Sequence, residues 1–157
     1  MPFALRAALI GLACIALQWL VLGRLLLWGA YPDGVLLFIA WMGFIYGRRV
    51  GMISGFALGF LMDAIYGTWG IQMFVKTLLG FMVGLFQAND RDTVIVRPQQ
   101  AFLVGLFIAL LHNGLFVALL VLQSGARNPS VILSHWLGAA LYTALVANIA
   151  SRFISVD

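Results

Sequence analysis

Asp63 and Lys76 each lie inside a run of apolar residues, and an ionised side chain at the centre of a bilayer costs roughly 3 kcal/mol or more. A carboxylate and an ammonium in such surroundings can hold a ligand, or they can neutralise each other. Both stand within about two helical turns of Gly67-Thr-Trp-Gly70. Each can therefore snorkel outward or pair with the other and lock a hairpin, and this structural reading is preferred. His112 and Asn113 lie near the middle of a later apolar run. They could line a ligand cavity or a proton route, but a hydrogen bond to a neighbouring helix, with Asn148 as a candidate partner, is the simpler account. His135 and Trp136, at the start of the last apolar run, suit a membrane interface, where amphipathic rings are usual.

Other chemistry finds little material. The five acids and two histidines are scattered, whereas hydrolysis or phosphoryl transfer calls for a cluster of such groups or a metal. Asp90 and Asp92, flanking Arg91, are the one close acidic pair. A metal there would lack a third nearby ligand, and a solvated loop is the simpler reading. The glycines sit inside apolar runs rather than between strand and helix, so there is no phosphate-cradling loop. Cys14 is the single cysteine, which leaves no disulfide framework or cysteine metal site. The expectation is a chain with no catalytic residue, no metal and no cofactor.

The elements that position these residues are marked by glycine. Gly51, Gly55, Gly59 and Asp63 recur every four residues, and Lys76, Gly80 and Gly84 repeat the spacing beyond the turn. Residues four apart share a helix face, so each run presents a groove that lets two backbones approach closely inside a bilayer. Antiparallel packing of the two would bring Asp63 and Lys76 to similar depth.

Composition supplies the bilayer. Of 157 residues 64% are hydrophobic and 9% charged, with a mean hydropathy of +1.07, which leaves almost no polar surface to face water. A single membrane domain is expected over residues 1–157, all-α, with about six spans near 3–27, 34–46, 50–66, 71–87, 101–122 and 131–153. The second is short for a perpendicular crossing and is expected to be tilted, broken or shielded by neighbours. The polar loop before Pro98 holds a Val94-Ile95-Val96 run that could pair as a strand or skim the interface.

The net charge of +4 does not point to nucleic acid, because the arginines sit at segment ends as topology signals. With six spans, Arg6, Arg48, Arg49, Arg91, Arg97 and Arg152 fall on the side of the termini and Arg24 and Arg127 opposite. Both termini are therefore expected in the cytoplasm. Arg6 with the following apolar stretch is similar to a signal peptide, but the stretch is long and lacks a clear cleavage site, so the first helix is expected to be retained.

One order of motifs reaches a family. Tyr31-Pro32-Asp33 before a short second span, the Arg48-Arg49 pair, Gly51-Met-Ile-Ser-Gly55-Phe-Ala-Leu-Gly59-Phe-Leu-Met-Asp63, Gly67, Gly70 and Lys76-Thr-Leu-Leu-Gly80 together resemble the rod shape-determining MreD family. The segment from about Pro32 to Gly84 carries the likeness. It implies a non-catalytic subunit of the bacterial inner membrane that helps maintain cell shape and guide peptidoglycan synthesis. The implied partners are MreC through its transmembrane helix and, through the complex, MreB, RodA and a class B penicillin-binding protein. A second copy of the chain and membrane lipid complete the expected contacts.

The family is also similar to the S components of energy-coupling-factor transporters, six-helix proteins with a central cavity. That likeness suggests an alternative, a small-molecule-binding transport subunit with Asp63, Lys76, His112 and Asn113 around a ligand. For the scaffold reading, the Gly51/Gly55/Gly59 face is expected to pack internally against Gly80 and Gly84, leaving other faces for a partner helix.

Overall fold

The computed structural model describes residues 2–89, 96–125 and 128–153. Asp90, Arg91, Asp92, Val94, Ile95 and Arg127 lie outside them, and so do the acidic pair and most of the strand-like run. Six helices form a bundle: α1 (Phe3–Leu20), α2 (Gly34–Tyr46), α3 (Arg48–Tyr66), α4 (Ile71–Gly84), α5 (Pro98–Ser124) and α6 (Pro129–Ser151). A 3₁₀ turn at Leu22–Arg24 extends α1, and one π turn at Ser134–Gly138 interrupts α6. Four of the six are long and apolar enough to cross a membrane; α2 and α4 are shorter.

The two short helices form the interior. Val35, Leu36 and Ile39 of α2 are at most 1% exposed. One face of α2 joins Ile15, Leu58 and Met62 from α1 and α3, and the other joins Leu79, Ile108, Ala109 and Ala140 from α4, α5 and α6. Thirteen residues rise only about 20 Å, short of a bilayer core, but neighbours on both sides shield the ends of α2 from lipid. Shielding is thus the outcome among those expected for the short second span.

Several boundaries differ by two or three residues from those read in the sequence, as where α4 ends at Gly84 and α5 begins at Pro98, and two differences at the ends of α1 and α2 have a local cause. Arg48 and Arg49 open α3 instead of forming a loop, because Gly47 turns the chain alone with φ +86°, a conformation disfavoured for L side chains. The first helix ends at Leu20 and not near Leu27, where the chain instead makes a tight reversal with paired Leu27 and Ala30 backbones. Trp28, at its tip, is 98% exposed.

Glycine sets the spacing of α2, α3 and α4. A Cβ at Gly51 would fall within 3.0 Å of the Gly80 backbone, at Gly55 within 3.0 Å of Lys76 and Thr77, and at Gly59 within 3.0 Å of Gln72 and Met73. Gly84 meets Gly47 and Arg48 in the same way, and Gly43 of α2 meets Gly80. The partners run backward as the glycines run forward, which is an antiparallel register held backbone to backbone. Close approach of this kind is what drives helices together where lipid competes equally for apolar side chains.

The two kinds of glycine make separable predictions. Gly55→Leu drives a side chain into main-chain atoms that cannot rotate away and should destabilise the protein by about 3 kcal/mol or more. Gly67→Ala meets nothing within 4 Å and carries only the strain of φ +69°, about 1–2 kcal/mol. Thermal unfolding in detergent checks the contrast; equal loss from both would remove the backbone contact as the organising feature.

Candidate functional site

Lys76 is 0% exposed and lies near the end of the bundle where α2, α4 and α6 begin. An ammonium has three protons and no lone pair, and each proton here has an acceptor. Nζ donates to Asp33 Oδ2 at 2.5 Å, to Gln72 Oε1 at 2.8 Å and to His112 Nε2 at 3.1 Å. The three come from the start of α2, from one turn earlier in α4 and from the middle of α5. The ammonium therefore ties three helices together while its charge is cancelled by Asp33.

Asp33 is positioned from several sides. Its Oδ1 accepts from the Leu36 amide, capping α2, and its own N–H donates to Thr143 Oγ1 of α6. Thr143 passes its proton to the Ala139 carbonyl one turn back. Gln18 of α1, wholly buried, donates to the Pro32 carbonyl and accepts from the Gly34 amide, so one side chain satisfies both ends of the Pro32–Gly34 turn. Burial raises the Asp33 carboxyl most strongly, but the Lys76 charge and hydrogen bond, with His112 and the Leu36 amide, together outweigh it and hold the group below the usual carboxylate range. Burial, with the Asp33 charge second, pushes the neighbouring Tyr31 phenol up to about 12.

Asp63 does not pair with Lys76, contrary to the expectation from their spacing. The glycine register sets Lys76 opposite Gly55, two turns or roughly 12 Å along α3 from Asp63. Asp63 instead lies beside the start of α4. Its oxygens accept from Thr68 Oγ1 and from the amides of Gly70, Gln72 and Met73, at 2.8–3.0 Å. These are the N–H groups that a helix leaves unpaired, at the end where its dipole favours an anion. The carboxylate of one helix thereby caps the next.

His112 and Asn113 are both buried and join each other, His112 Nδ1 to Asn113 Oδ1 at 2.8 Å. Asn148 is not their partner: its amide donates to the Pro98 carbonyl at the opposite end of α5, because 35 residues of chain between Asn113 and Asn148 return α6 with that residue near the start of α5. The structure thus gathers Lys76, His112 and Asn113, and leaves Asp63 and Asn148 apart. Gln72, Gln18 and Thr143 were not singled out from sequence, and Asp33 entered only as part of the Tyr31-Pro32-Asp33 motif and not as a partner of Lys76. Their signal was a polar side chain within or beside an apolar run, weaker than a charge but of the same kind.

Chemically the cluster is a compensated ion pair with neutral hydrogen-bonding neighbours. Among the described residues no three His, Cys, Asp or Glu side chains stand close enough to hold a metal. Such an arrangement fixes helices relative to one another. A model of the family described as rod shape-determining protein MreD matches residues 3–149, all six helices but the last residues of α6. The chain belongs to the MreD family. It is accordingly a multi-pass, non-catalytic membrane protein with a role in rod shape determination. No curated protein and no solved structure matches it, so the likeness to S components gains no support from a known structure.

Double-mutant cycles separate the two carboxylates of this MreD family member. Lys76→Met or Asp33→Asn alone leaves a buried charge unpaired and should cost about 3–5 kcal/mol, while the double variant should recover much of that loss. Lys76→Met combined with Asp63→Asn should couple far more weakly, since the two share only Gln72, one through its side chain and the other through its backbone amide. Unfolding midpoints in detergent give both couplings, and strong coupling of Lys76 to Asp63 would contradict the register.

Proposed function

We propose that this chain is a membrane scaffold subunit of the bacterial cell-elongation complex, binding the transmembrane helix of MreC and through the complex serving MreB, RodA and a class B penicillin-binding protein in guiding peptidoglycan synthesis. The observation that carries the reading is the family match over residues 3–149. The architecture is consistent with it. Most of the buried polar side chains are turned inward and hydrogen-bonded, Asn113 Nδ2 and the Tyr66 hydroxyl excepted, while the outside is apolar: Ile53, Phe56 and Phe60 on α3 are about half exposed or more. The glycine face of α3 is occupied by α4. A partner helix would therefore use the Ile53/Phe56/Phe60 face, with the Asp63 cap and the Lys76 cluster stiffening the end at which that partner leaves the bilayer.

The orientation belongs to the same proposal. Arg6, Arg48, Arg49, Arg97 and Arg152 gather at one end of the bundle and Arg24 lies towards the other. The excess of arginine at the first end supports a cytoplasmic location for that end and for both termini. The Lys76 cluster then lies in the outer half of the inner membrane.

Coexpression with MreC tests the reading. A complex that survives mild detergent, and is lost when the MreC transmembrane helix is replaced by an unrelated one, is the expected result. Phe56→Ala/Phe60→Ala should weaken that complex without moving the unfolding midpoint. Retention of the complex without the native MreC helix would refute the helix-docking assignment. For orientation, single cysteines placed at Arg49 and at Thr68 should react with an impermeant maleimide only at the second position in intact spheroplasts.

A further inference from the structure

The hydrogen bonds around Lys76 have a forced direction, and it ends on an unpaired donor. Because the ammonium can only donate, His112 Nε2 must accept. The imidazole is then neutral with its proton on Nδ1, and that proton goes to Asn113 Oδ1. The carboxamide is thereby fixed, leaving Nδ2 with two N–H groups. Asn113 is 7% exposed and Nδ2 has no partner in the protein. A buried donor left in that condition loses the hydrogen bonds that water would give it.

Asn113 lines a cavity of about 30 Å³, together with Tyr31, Phe116, His135 and Ala139. That volume accommodates one water-sized group. Asp33, Gln72 and His112 complete its walls at the end where α2, α4 and α6 begin. The chemistry of the walls selects the occupant. An anion would meet the Asp33 carboxylate, and the Lys76 protons are already taken. A cation would face the Asn113 N–H groups. A neutral oxygen that accepts from Asn113 meets neither objection. His135 Nδ1 lies 3.0 Å from the Val131 carbonyl, to which it can only donate, so in the neutral ring Nε2 is the acceptor. The π turn that contains His135 widens α6 at this point. Acceptance from Asn113 with donation to His135 is the pattern of a hydroxyl, shared by water and an alcohol, and the aromatic walls of Tyr31 and Phe116 suit the carbon that an alcohol brings with it.

We propose that Asn113 and His135 form a subsite for one neutral hydroxyl of a polyol, either free or carried by a lipid headgroup, entering from the end of the bundle where α2, α4 and α6 begin. The inference stands apart from the MreC assignment, since it uses no partner surface.

The test uses the full chain in nanodiscs of phosphatidylcholine, whose headgroup has no hydroxyl, with glycerol or phosphatidylglycerol as the added probes. His112-Asn113 is the one His-Asn pair in the sequence. Carbonyl-¹³C histidine with ¹⁵N asparagine therefore identifies the Asn113 amide without any variant, and its side-chain NH₂ can be correlated with it. The expected result is a saturable shift of that NH₂ signal while those of Asn89, Asn128 and Asn148 stay fixed. A response to glycerol assigns a free polyol, and a response to phosphatidylglycerol alone assigns the headgroup. Asn113→Leu, where it folds, should abolish any probe-dependent rise in unfolding midpoint. No response to either probe, including the case of an Asn113 amide that contacts only water, overturns the proposal.

Discussion

Lys76 has to keep an ammonium charged with no solvent around it, and that demand organises much of the bundle. In water the group would exchange hydrogen bonds freely; in the interior every N–H left without an acceptor is a loss, and an unpaired charge a larger one. One acceptor comes from α4 itself, one from α5 and one from the capping carboxylate of α2. The height of α2 and the rotation of α5 about α4 are fixed by the same three bonds. Asp33 is an efficient counter-ion because one oxygen holds the ammonium while the other caps its own helix. Gln18 and Thr143 then hold that cap from α1 and α6, so five of the six helices meet around a single turn.

The remaining helix is joined by other means. α3 meets α4 along a line of glycines, and what it gains there is dispersion between backbones. Such a contact has little directional preference along the helix axis by itself. Asp63 supplies the stop. By accepting the Gly70, Gln72 and Met73 amides at the start of α4 it fixes how far α4 extends along α3. The register that results is the reason Lys76 reaches away from α3, since opposite it stands Gly55, which has nothing to offer an ammonium. Packing and electrostatics therefore act on the same hairpin at different heights without competing.

For a protein of the MreD family this division has a functional consequence. A subunit that works through association and not catalysis needs a surface that holds its shape in lipid. Here rigidity comes from the inside, through a polar cluster and backbone contacts, and the lipid-facing surface is left free to be apolar. The four long helices present that surface, while the short α2 and the polar side of α4 are spent on the interior. A bundle arranged in this way can present a partner helix with a fixed face without exposing a polar group to hydrocarbon.

The sequence by itself determined the solvent, the number of helices and the conspicuous residues. A mean hydropathy of +1.07 admits only backbone that satisfies itself, and apolar runs that are continuous and not alternating make that backbone helical. The spacing of Gly51, Gly55 and Gly59 is visible without a structure because it depends on a local period. Asp63 and Lys76 stand out because a charge in an apolar run is rare. What each of them touches could not be read in the same way. Asp33 stands 43 residues from Lys76 and His112 another 36 beyond, so their meeting depends on the order of helices in the bundle. The stagger of α3 against α4 separated Asp63 from Lys76, although their distances from the turn suggested a pair. Partner choice was decided by tertiary register, because a hydrogen bond is selected over a few ångströms in three dimensions and helical periodicity records only the face from which a side chain starts.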